Sequence, residues 1–92
     1  MNLMTLPEIE AAVLALLDGF ESPIPAYQID EMRDLCGSGE PGIALENFAT
    51  QLVEYEVPIA AVMLEQMEAL GNAMGLNQKY WAWLRELVRI TG

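Results

Sequence analysis

The stretch Cys36-Gly37-Ser38-Gly39-Glu40-Pro41-Gly42-Ile43-Ala44-Leu45-Glu46-Asn47 decides the fold. Gly37 and Gly39 can take left-handed backbone angles and so end a preceding helix. Pro41 suits the first turn of the next helix, where its missing N–H breaks no helical bond. Glu40 sets negative charge against that helix's positive end. Gly42 is unexpected so near a helix start, because glycine there costs roughly 0.5–1 kcal/mol against alanine. Close packing at Gly42 is the expected reason. From Pro41 the apolar residues Ile43 or Ala44, Leu45, Phe48, Leu52 and Tyr55 recur at three and four, predicting a helix to about Tyr55.

Outward from this stretch the same period holds. Thr5-Leu6-Pro7-Glu8 reads as a helix start, with a Thr cap, Pro in the first turn and Glu three residues after the cap. Ile9, Val13, Leu16, Leu17 and Phe20 follow as its stripe, expected to pack into a core, and the helix should end near Asp18-Gly19. Glu21-Ser22-Pro23-Ile24-Pro25 is a stiff connector. A second helix is expected from about Ala26 to Cys36, with Tyr27, Ile29, Met32, Leu35 and Cys36 on its apolar side. Beyond the joint Glu56-Val57-Pro58, a fourth helix is expected from about Pro58 to Met74. Its stripe is Ile59, Val62, Met63, Met67, Leu70 and Met74. Gly75 ends it, and Asn77 caps a last helix with Tyr80, Leu84, Leu87 and Val88 on one face and Trp81 and Arg85 on a neighbouring one. Trp83 and Ile90 point elsewhere. No alternating run is joined by a tight hairpin turn. The fold class expected is therefore all-α, a compact bundle of about five short helices in one domain spanning 1–92.

Charge narrows the partners. The 92 residues carry 14 acids and 4 bases, a net charge of −10, and 53% of them are hydrophobic. Residues 1–78 hold 13 of the acids against Arg33 alone. Such a field repels nucleic acid and anionic membranes and attracts basic partners. No basic residue precedes Arg33, and the apolar run Ala11–Leu17 stops at Asp18. Neither a secretory signal nor a membrane span is therefore expected, and a cytoplasmic location is.

Catalytic equipment is sparse. There is no histidine, hence no ready acid–base group near neutral pH. The single cysteine, Cys36, has no histidine partner and fits a core thiol. Lys79 is the only lysine, with nothing marking it for Schiff-base chemistry. The acids lack the order of a calcium loop, and the glycines match no phosphate-binding spacing. No enzyme activity, cofactor or metal is expected. The acids outside the apolar stripes, Asp30, Glu31, Asp34, Glu46, Glu54 and Glu56, are the expected contact residues for a cationic partner.

The segment Gly39-Glu40-Pro41-Gly42-Ile43-Ala44-Leu45-Glu46 resembles a family of bacterial immunity proteins, the MafI type, found beside polymorphic and contact-dependent inhibition toxins. Leu52 on the following helix and the joint Glu54-Tyr55-Glu56-Val57-Pro58-Ile59 are also similar. The resemblance implies a cytoplasmic helical protein that binds the C-terminal domain of a cognate toxin, often a nuclease, and blocks it. Immunity surfaces diverge with their toxins. The shared residues Gly39, Glu40, Pro41, Gly42, Ala44 and Leu45 are therefore expected to be architectural rather than toxin-contacting. A basic RNA-cleaving domain is the expected partner, since such domains bind phosphates in positive clefts. The competing expectation is a non-enzymatic helical adaptor or self-associating domain, for which the apolar content and the aromatic last helix are the signal.

Overall fold

Three of the helices end in the same way, and these ends set the path of the chain. In the computed structural model, which describes residues 4–18 and 23–88, α1 spans Leu6–Asp18, α2 Ala26–Gly37, α3 Pro41–Glu54, α4 Ala61–Met74 and α5 Lys79–Arg85. Past α2 the Glu40 N–H donates to the Leu35 carbonyl at 2.9 Å and the Gly39 N–H to Cys36 at 3.2 Å. Past α3, Val57 donates to Leu52 at 2.9 Å and Glu56 to Val53 at 3.1 Å; past α4, Leu76 donates to Gly71 at 2.9 Å and Gly75 to Asn72 at 3.2 Å. Each is a Schellman end, closed by one residue with positive φ: Gly39 at 84°, Glu56 at 50° and Gly75 at 70°. Gly37 stays helical, so Gly39 alone provides the left-handed residue after α2.

The first helix starts as its sequence requires. Glu8 N–H donates to Thr5 Oγ1 at 3.3 Å, and the Glu8 carboxylate accepts from the Thr5 N–H at 3.1 Å. This reciprocal box satisfies two N–H groups that the helix itself leaves open. Phe20, Gly19, Glu21, Ser22 and Ile90, expected in the first stripe, the first connector and the last helix, lie outside the described residues.

At the centre lies α3. It packs against α1, α2, α4 and α5, and buries Pro41, Ala44, Leu45, Phe48, Ala49 and Leu52. Around it Val13, Leu17, Met32, Cys36, Met67, Trp81 and Leu84 complete a core in which, among the described residues, no polar or charged residue is buried. The radius of gyration, 12.5 Å, matches the value of about 12 Å expected for a folded chain of this length. Among the described residues the architecture is an all-α bundle of five helices.

The structure corrects several boundaries and faces. α4 begins at Ala61 rather than Pro58. Ile59 is instead drawn into a parallel bridge with Val88, its N–H donating to the Leu87 carbonyl at 3.0 Å. This tie joins the α3–α4 connector to the turn after α5. The apolar period therefore placed Ile59 correctly in the core but in the wrong backbone state. Tyr27, Tyr55 and Val62, expected inward, are 63%, 39% and 59% exposed. Trp81, expected on a flank of α5, is wholly buried, while Trp83 stays exposed.

Candidate functional site

Side-chain pairing sorts the acids of α2 into two classes. Arg33 Nη2 lies 2.8 Å from Asp18 and its Nη1 2.9 Å from Asp30, so it joins the end of α1 to α2. These groups are exposed and the bridges contribute little stability, about 0–1 kcal/mol. Their consequence is for the field: the one base of α2 is turned toward Asp18 and Asp30. Glu31 and Asp34, three apart and hence on neighbouring turns of one side, have no cation within ion-pair distance among the described residues.

Glu31 borders a groove of about 190 Å³ between α2 and α3, lined by Gln28, Glu31, Met32, Asn47 and Gln51. Glu54 lies one turn beyond Gln51 and, like Asp34, is exposed and without a cation among the described residues. Exposed Tyr27 stands one turn before Glu31 on the same side. At the exposed surface Gln28 Nε2 donates to Tyr27 Oη at 3.4 Å, while Gln28 Oε1 is buried and receives no donor among the described residues. A buried acceptor left unpaired costs about 1–3 kcal/mol.

The other expected contact residues fall elsewhere. Asp30 is half of the Arg33 bridge. Glu46 turns to the α5 side of α3, where it faces Tyr80; burial first, then the Glu46 charge and hydrogen bond, push the Tyr80 phenol above its ordinary value. Glu56 occupies the left-handed position that closes α3. The six acids expected as one set thus divide: Glu31 lines the groove, Asp34 and Glu54 are exposed without a cation among the described residues, and the other three have separate surroundings. Sequence reasoning missed Gln28, Asn47 and Gln51. Their only signal was polar residues spaced along the flanks of two adjacent helices.

The residues expected to be architectural have different surroundings. Pro41, Ala44 and Leu45 are buried, Gly39 closes α2, and Glu40 precedes α3 as its cap residue. Gly42 is less demanding than expected: an added Cβ would sit 3.4 Å from Leu76 Cδ2 and 3.6 Å from Met74 Sδ, ordinary contacts. Cys36 is buried with its thiol 3.4 Å from the Glu10 carbonyl, and burial, aided by Glu10, raises its pKa. That is the environment of an unreactive thiol.

No protein-family model, curated protein or solved structure matches this chain. The resemblance to MafI-type immunity proteins is carried by the Gly39–Glu46 stretch, Leu52 and the Glu54–Ile59 joint, with a looser likeness in length and helical order over most of the chain.

Two further surfaces complete the picture. An open apolar groove of about 510 Å³ runs between α1 and α4, lined by Ala12, Ala15, Leu16, Gln66, Ala69 and Leu70. On α5, Lys79 Nζ lies 5.2 Å from the Tyr80 ring centre and 5.5 Å from that of exposed Trp83, a cation held over an aromatic edge. Among the described residues there is no cluster of metal-ligating side chains, and no helix is long and apolar enough to cross a membrane.

Proposed function

We propose that this chain is an immunity protein that binds the C-terminal toxic domain of a cognate bacterial toxin, a basic nuclease and most simply an RNase, and covers its substrate site. The observation that carries the reading is the set of unneutralised acids on α2 and α3. Glu31, Asp34 and Glu54 are exposed with no cation beside them among the described residues, while Arg33 is committed to Asp18 and Asp30. A positive phosphate-binding cleft is the complement of such a face. Inhibition then requires no catalytic group from this chain, because occupying the cleft excludes RNA. The encounter takes place in the cytoplasm, where the toxin domain would meet its substrate. Coexpression with a basic nuclease toxin domain, sought in the neighbouring gene, tests the reading: growth should be restored and the two proteins should copurify. Absence of both, with the protein folded, rejects it.

The α1–α4 groove supports a second reading. Its apolar walls, with exposed Val62 and Leu6 on the same two helices, suit a helical adaptor or a self-associating domain. Sedimentation across a concentration series separates the two: self-association would favour the adaptor, and a persistent monomer the inhibitor.

A further inference from the structure

We propose that the α2–α3 groove is a receptor for one arginine side chain of a basic partner protein. The inference rests on the inhibitor reading for the identity of that protein, but the chemistry of the groove stands apart from it. The groove holds about 190 Å³, the share of roughly six water molecules, which is room for a side-chain head group and too much for one structural water. Its lining supplies acceptors: the Glu31 carboxylate and the amide oxygens available from Gln28, Asn47 and Gln51. Met32, only 2% exposed, adds an apolar wall for the methylene stem. Guanidinium is flat, carries five N–H donors and no acceptor, and is more weakly hydrated than ammonium.

Two independent observations point to a cationic donor. Gln28 lines the groove, and its Oε1 is buried without any donor among the described residues. The charge on Glu31 has no cation beside it among the described residues, because Arg33, two positions along α2, is held by Asp18 and Asp30. A neutral donor would satisfy the first and leave the second unanswered. An arginine answers both, and the carboxylate–guanidinium bond is of the stronger, charge-assisted kind.

The test uses the isotope-labelled full chain and the capped tripeptide N-acetyl-glycyl-arginyl-glycinamide, with its citrulline and lysine counterparts. The side-chain amide signals of Gln28, Asn47 and Gln51 should shift saturably with the arginine peptide and not with the neutral, equally shaped citrulline peptide. Lysine should bind more weakly. Glu31→Gln should weaken the arginine affinity about tenfold or more, as loss of a charged hydrogen-bond partner does. Glu65→Gln, which removes the same charge from an exposed position on α4, should leave it unchanged. Shifts spread evenly over the acidic surface, equal response to citrulline, or equal losses in both variants would overturn the proposal. Restored growth in coexpression with a silent groove would sink the arginine receptor and leave the inhibitor standing. A responsive groove without protection would do the reverse.

Discussion

The indole ring of Trp81 lies directly against Gly71, where no side chain could stand between α4 and α5. A Cβ built on Gly71 would overlap the ring, with Trp81 Cε2 at 2.7 Å and Cη2 at 2.8 Å. Glycine inside a helix costs about 1 kcal/mol against alanine, and here the cost is offset by full burial of the largest side chain in the core. Gly71 therefore plays the part that the sequence suggested for Gly42.

Gly71→Ala should accordingly destabilise the domain by about 1–3 kcal/mol, the usual range for overpacking. Gly42→Ala should be neutral or stabilising by up to about 1 kcal/mol, since its contacts with Leu76 and Met74 are ordinary and helix propensity improves. Urea midpoints of the two variants check this pair. A Gly71→Ala midpoint equal to wild type would remove the close-approach argument.

Glu56 is the one described residue other than glycine with positive φ. Gly39 and Gly75 do the same work at the ends of α2 and α4. Glu56→Gly should relieve strain of roughly 1 kcal/mol, less the extra freedom glycine gains in the unfolded chain. A modest rise in melting temperature is expected. A fall would show that the Glu56 side chain contributes a contact outweighing its backbone strain.

Alkaline stability should depend on Tyr80. Burial and Glu46 raise its folded-state pKa above the unfolded value of about 10. A group shifted in this direction contributes stability that is fully present below the unfolded pKa and is lost as pH rises through the folded one. Tyr80→Phe should flatten the decline in stability above pH of about 10 relative to wild type. Parallel curves for the two proteins would contradict the Glu46 contact.

Binding to a basic toxin domain should show the asymmetry of α2. Reversing Glu31 and Asp34 to Lys should slow association by about tenfold or more, and raising salt should slow the wild type, because screening acts beyond about 8 Å at physiological ionic strength. Asp30→Asn should have a small effect, as Arg33 already neutralises that carboxylate and keeps its bond to Asp18. Stopped-flow association rates decide it. Slowing in proportion to the charge changed, about four units against one, would mean that net charge alone matters.

Local interactions made much of this fold legible from the sequence. Thr5 and Glu8 cap α1 across three residues, Gly39 and Gly75 end helices through their own backbone freedom, and the three-and-four spacing marks inward residues such as Val13, Phe48 and Met67. Each depends on residues within one or two turns, so the chain encodes it regardless of what packs against it. The all-α class followed from these alone. What tertiary structure alone decided involves distant partners. The hydropathy of Ile59 suited a helix or an extended segment equally; the Leu87 carbonyl, brought near by α5, selected the extended one. Gly71 had to be glycine only because Trp81 arrives from another helix. The acids of α2 had equivalent claims until Arg33 reached across to Asp18, 15 residues away, and turned with Asp30 from the groove. Spacing along one helix assigns a side chain to a face, but only the packing of α1 and α3 beside it determines which face is neutralised and which is left to meet a partner.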